Sequence, residues 1–146
     1  MDLIKTIDIA AGGMTAQRTR LNVISMNLAN ANTTRTEDGT PYRRKTVIFE
    51  STPASASFRD HLQSSLDGEL YGVKVSEIVP VRDEFKKIFD PSHPDADSSG
   101  YVYLPNVNLV QEMVQMLNAN RSYEANAAVV RTAKDMALKA LEISGR

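Results

Sequence analysis

Cysteine is absent from the 146 residues, which excludes a disulfide framework, a thiolate metal site and a cysteine nucleophile. An excess of one charge is missing too. Lys plus Arg number 17 and Asp plus Glu 18, so the net charge of -1 supplies no bulk pull toward nucleic acid or an acidic membrane surface. No run approaches the roughly 18 apolar residues of a membrane span. Asp2, Lys5 and Asp8 interrupt the apolar residues at the N-terminus, which lacks the basic start and cleavage site of a secretory signal. A chain of this kind that leaves the cytoplasm is expected to do so by a route that reads something else. The two histidines, His61 and His93, have no neighbours that suggest a triad or a metal site, and the acids fall in loop-like segments. The sequence therefore predicts no catalytic residue, no cofactor and no metal.

What is present is apolar periodicity at both ends. In heptads, residues 3 to 31 place Ile7, Met14, Leu21 and Leu28 at one seam position and Leu3, Ala10, Ile24 and Ala31 at the other, with Gln17 the polar exception. This predicts a long helix with a narrow stripe, weakened by Gly12-Gly13 at about 1 kcal/mol per glycine and ended by the turn-forming run Asn30-Ala-Asn-Thr-Thr. Residues 106 to 144 repeat the pattern with Leu109, Met113, Met116, Tyr123, Ala127, Val130, Ala137 and Leu141, between Pro105 and Gly145. Val129, Ala133, Met136, Ala140 and Ile143 add a second stripe, so the closing helix has more apolar face than one partner helix covers.

Between them lie all six prolines and short β-favouring runs at Lys45–Phe49, Gly72–Val79 and Tyr101–Leu104, with Ser51–Ser57 and Asp90–Gly100 as loops. Asp95, Asp97, Ser99 and Gly100 imitate the opening of a calcium loop, yet Asn106 stands where a bidentate Glu is needed and Pro91 and Pro94 replace the entering helix. A tight turn is the better reading. The basic run Arg43-Arg-Lys45 suits a strand edge or a contact to acids such as Asp83-Glu84. The fold expected is mainly α with a small β-rich insert: an assembly helix over 1–34, an insert over 35–104 and a second helix over 105–146. The long terminal helices are expected to form a coiled-coil-like pair that packs in a multi-subunit tube, the alternative from patterning alone being a monomeric two-helix stalk with a β cap. So small an insert cannot cover both stripes, and other copies or homologous chains are the natural sink for the remaining apolar surface. Two competing readings differ in class. A cell-wall enzyme needs a placed pair of carboxylates, and a soluble coiled-coil adaptor or export chaperone would be a discrete, stable oligomer.

Several runs resemble the axial proteins of the bacterial flagellum, the rod and hook subunits. At the N-terminal end the match is Ser25-Met-Asn-Leu-Ala-Asn-Ala-Asn-Thr33; at the other it is Glu112-Met-Val with Asn120-Arg-Ser-Tyr-Glu-Ala-Asn126. Pro41-Tyr-Arg-Arg-Lys45, Phe89-Asp-Pro-Ser-His-Pro and Pro105-Asn-Val-Asn108 resemble the proximal-rod branch. The resemblance implies a structural subunit exported without a cleaved signal peptide by the flagellar type III export apparatus and polymerised in the periplasm. Implied partners are other copies, the homologous rod proteins FlgB, FlgF and FlgG, and the rod-base adaptor FliE, with no nucleic acid and no membrane insertion. The expected assembly surface comprises Ile7, Met14, Leu21, Ile24, Asn27, Leu28 and Asn30 on the first helix. On the second it comprises Met113, Met116, Asn120, Arg121, Tyr123, Asn126, Val130, Ala137 and Leu141. The asparagines Asn27, Asn30, Asn32, Asn120 and Asn126 are expected to set register, as amides near a helix seam do, the alternative, strongest for Asn30 and Asn32, being that they cap helix ends or face solvent.

Overall fold

The computed structural model describes residues 3–53 and 70–144. The order is α1 (Leu3–Ala29), β1 (Lys45–Pro53), β2 (Tyr71–Pro80), β3 (Lys86–Phe89), β4 (Tyr101–Leu104) and α2 (Leu109–Ser144). At about 1.5 Å per residue the two helices run to roughly 40 and 54 Å.

The helices pack side by side. Asn27 bonds Glu112 and Gly13 abuts Asn126, so moving forward along α1 moves backward along α2 and the pair is antiparallel. Both contacts have residue numbers that sum to 139. The glycine pair that weakens α1 is explained here. A Cβ on Gly12 would stand 3.2 Å from the Val73 carbonyl oxygen of β2, and one on Gly13 would stand 2.7 Å from the Asn126 amide. The helix gives up intrinsic stability so that a strand and a second helix can approach it on adjacent faces.

β1 and β2 form an antiparallel hairpin, Lys45 opposite Pro80 and Pro53 opposite Tyr71, with a register shift at Ile48/Phe49. β1 continues through Pro53, so Ser51–Pro53 is strand where the sequence suggested loop, because each residue finds a ladder partner on β2. His61 and the remainder of that loop candidate lie outside the described residues. β3, unmarked by any β-rich run in the sequence, pairs with β4, Phe89 opposite Tyr101. Their rings meet edge to face at 5.2 Å, and the Lys87 ammonium lies 4.1 Å from the Tyr101 centroid, so aromatic and cation–π contacts support a strand too short to be read from pattern.

The 90–100 segment is a tight turn closed by its own side chains. Asp97 Oδ1 accepts from the backbone N–H of Ser99 and of Tyr101, at 2.8 and 2.9 Å. Thr34 Oγ1 ties the turn to the segment that follows α1 by donating to Asp95 Oδ2 at 2.7 Å. Gly100 has φ +79°, and a Cβ there would come within 3.0 Å of the Phe89 ring and 3.1 Å of Pro91. Gly100→Ala is expected to destabilise the subunit by about 1–2 kcal/mol, since strain and clash act together. Urea unfolding would show it, and an unchanged midpoint would contradict it.

The same turn is expected to respond to acid. The Tyr101 N–H holds the Asp97 carboxyl below its ordinary value of 3.8, and the Ser92 hydroxyl does the same for Asp90. A depressed folded value contributes stability that is present above 3.8 and lost as pH falls through the lower folded value. Acidification below this point is expected to loosen the β3–β4 hairpin first, seen as loss of the Tyr101 ring-current shifts while the helical signal persists.

A buried polar hub and a bare helix face

Among the described residues the most enclosed large side chains are polar: Glu112 is 0% and Asn27 1% exposed. Asn27 stands on the last turns of α1. All four of its amide positions are used. Its Oδ1 accepts from the Tyr42 hydroxyl at 3.0 Å and from the Lys45 N–H at 2.9 Å. Its Nδ2 donates to the Lys45 carbonyl at 2.8 Å and to Glu112 Oε2 at 3.0 Å. The amide thus treats Lys45 as a strand neighbour would, fixing the start of β1 against α1.

Glu112 lies in the first turns of α2, where the helix dipole favours negative charge. That helix starts at Asn108, whose Oδ1 accepts from the N–H groups of Val110 and Gln111 at 3.1 and 3.2 Å. The second oxygen of Glu112 accepts from Arg44 Nε in an ion pair whose side chains are 15% and 0% exposed. Arg44 also donates from Nη2 to Gln115. Its backbone N–H donates to Asn106 Oδ1 at 3.0 Å, and its carbonyl accepts from Val81 at 2.8 Å. Burial, and then the Glu112 charge, raise the Tyr42 hydroxyl above its ordinary 10.0, which keeps it a donor to Asn27. Ala31, Tyr42 and Val107 form the apolar cluster beside these groups. Four stretches of chain, around Asn27, Tyr42–Lys45, Val81 and Asn106–Gln115, are welded at one end of the helix pair, and a buried charge is tolerated there because every partner is present.

The predicted assembly residues divide by position. Asn27 has no hydrogen-bonding capacity left for another chain and acts inside the subunit. Asn30 caps α1, its Nδ2 donating to the Met26 carbonyl at 2.9 Å and its Oδ1 accepting from Thr33. Ile24 is buried; Ile7, Met14, Leu21 and Leu28 are half-buried, as are Met116, Tyr123, Asn126, Val130 and Ala137. Met113, Asn120, Arg121 and Leu141 are exposed. Leu109, Met113 and Leu141 of the heptad stripe are exposed, since α2 meets α1 at Glu112 and Asn126, on another side of the helix. Arg43 reaches the Asp83 segment within its own chain, donating to the Asp83 carbonyl at 3.2 Å and covering the Phe85 ring at 4.3 Å, so a carbonyl and a ring, not a carboxylate, receive it.

The face of α2 turned away from α1 is apolar. Leu109, Val110, Met113, Val114 and Leu117, spaced for one side of a helix, are 51–71% exposed. A second outward set, Val129, Met136 and Ile143, is 44–79% exposed and lies at another angle around the axis. Monomeric proteins rarely leave such a length of apolar helix in water.

Two antiparallel terminal helices, a small β insert and an uncovered apolar face describe a subunit built to pack against other chains. The family described as flagella basal body rod protein matches residues 7–35, and that of the flagellar basal body rod FlgEFG protein C-terminal region matches residues 98–143. The chain is 43% identical to the flagellar basal-body rod protein FlgC of Borreliella burgdorferi, covering 98% of each. It is 41% identical to those of Bacillus subtilis, covering 98% of this chain and 99% of the relative, and of Escherichia coli O6:H1, covering 98% of each. The chain belongs to the family of the flagellar basal-body rod protein FlgC, and it is a structural component of the flagellar rod.

Proposed function

We propose that the subunit forms part of the proximal rod in the periplasm and polymerises through its terminal helices, so that the hub-braced helix pair carries torque from the membrane ring toward the distal rod and hook. The observation that carries this is the uncovered outer face of α2, Leu109 to Leu117, on a helix pair already closed by the hub. Other copies and the homologous FlgB, FlgF and FlgG supply the missing cover, with FliE at the base of the rod. Delivery by the flagellar type III apparatus, without a cleaved signal peptide, suits long helices that gain most of their packing only beside neighbours.

Met113→Glu combined with Leu117→Glu tests this. Both side chains are more than half exposed, so the isolated subunit should keep its stability within about 0.5 kcal/mol. In the rod the two charges would have to be buried unpaired. The expected result is loss of the chain from purified basal bodies and loss of swimming. Wild-type incorporation of a normally folded double variant would overturn the proposal.

A further inference from the structure

We propose that the outer face of α2 receives the outer face of α1 from a second copy of this chain, antiparallel and in one register, so that copies follow one another as a row of alternating helices. The inference rests on the rod reading above and specifies which surfaces meet.

The outer face of α1 carries Ile4, Asp8, Ala11, Thr15, Arg18 and Asn22 at three- and four-residue spacing, and all are exposed. It holds one acid and one base, Asp8 and Arg18, ten residues apart. α2 carries Glu124 and Lys134, also exposed and also ten residues apart. None of these four side chains has an ion-pair partner among the described residues.

In an antiparallel approach Arg18 of one copy meets Glu124 of the next, and Asp8 meets Lys134. A parallel approach needs a cation on α2 followed ten residues later by an acid, and Arg121, Arg131, Lys134 and Lys139 offer none. Among the exposed acids of α2, which are Glu124, Asp135 and Glu142, Glu124 alone has a cation ten residues on. Charge therefore selects both direction and register. The same register brings Ile4, 68% exposed, opposite Leu138, 50% exposed, and Ala29 opposite Met113.

Residue numbers sum to 142 across this contact and to 139 within the subunit. The neighbouring copy is therefore displaced by three residues along the helix axis, about 4.5 Å, with the same polarity. A contact between two different faces combined with a fixed axial step does not close on itself, and it generates a helical polymer.

The absence of cysteine from the chain makes the test direct. One Ile4→Cys chain and one Leu138→Cys chain are expressed together as the only copies, and basal bodies are isolated under mild oxidant. The expected result is a disulfide-linked dimer. Asn22→Cys with Leu138→Cys, about 27 Å apart along the axis in this register, should give at least tenfold less. Rods that contain both chains and show no Ile4–Leu138 link, or link the control pair equally, overturn this contact and leave the rod reading standing; absence of the unsubstituted chain from basal bodies would overturn the rod reading itself. If the cysteine variants do not assemble, charge reversal decides. Arg18→Glu should reduce incorporation at least tenfold and Arg18→Glu with Glu124→Arg should restore it, whereas a double variant no better than the single one overturns the contact.

Discussion

Replacing Arg44 with alanine is expected to destabilise the folded subunit by about 3–5 kcal/mol, because it leaves the enclosed Glu112 carboxylate without its ion-pair partner. The size follows from asymmetry. Forming a buried pair gains little over an apolar alternative, whereas removing one member strands a charge in a poorly solvated place. Two further losses accompany it, the bond to Gln115 and the cover the guanidinium gives the start of α2. Changing Arg44 and Glu112 together to methionine should recover a large part of the loss, since the stranded charge goes with its partner. Urea unfolding of the single and double variants measures both effects. A cost below about 1 kcal/mol for Arg44→Ala would show that water reaches Glu112 and that the pair is not the brace described here.

Asn27→Ala should be nearly as severe, at about 3 kcal/mol or more. It orphans the N–H and carbonyl of Lys45, the hydroxyl of Tyr42 and one oxygen of Glu112, and each buried polar group left unsatisfied costs about 1–3 kcal/mol. Asn27→Asp keeps the shape but should not rescue it, because a second carboxylate would face Glu112 and the two donated bonds would be lost. The specific sign is amide exchange at Lys45, where protection should fall well beyond the change in global stability. Unchanged protection at Lys45 with lowered overall stability would mean that Asn27 acts by packing alone.

The helices and three of the four strands were legible in the sequence because their periods are local properties. Leu3, Ile7 and Ala10 announce a helix without reference to any other part of the chain. β3 was not legible: Lys86-Lys-Ile-Phe89 is too short and too basic to read as a strand, and it exists because Tyr101 and Val102 lie across from it. The hub was hidden for the same reason, since Arg44 and Glu112 are 68 residues apart and neither has a local pattern. One signal did point there. Asn-Leu-Ala-Asn, Pro-Tyr-Arg-Arg-Lys, Pro-Asn-Val-Asn and Glu-Met-Val, the runs that carry the likeness to axial proteins, are the segments that meet at Asn27 and Glu112. The heptad spacing of Leu109 and Met113 does not tell which chain covers them, because a stripe awaiting a neighbouring chain has the same spacing as one already covered.

In the assembly proposed above, the hub closes one side of the helix pair and leaves the outer face of α2 for neighbouring chains. Because the chain has no cysteine, a single Leu117→Cys reports on that face alone. A water-soluble maleimide should label it rapidly in the dilute subunit, where Leu117 is 60% exposed, and at least tenfold more slowly in isolated rods. Equal labelling in subunit and rod would contradict the claim.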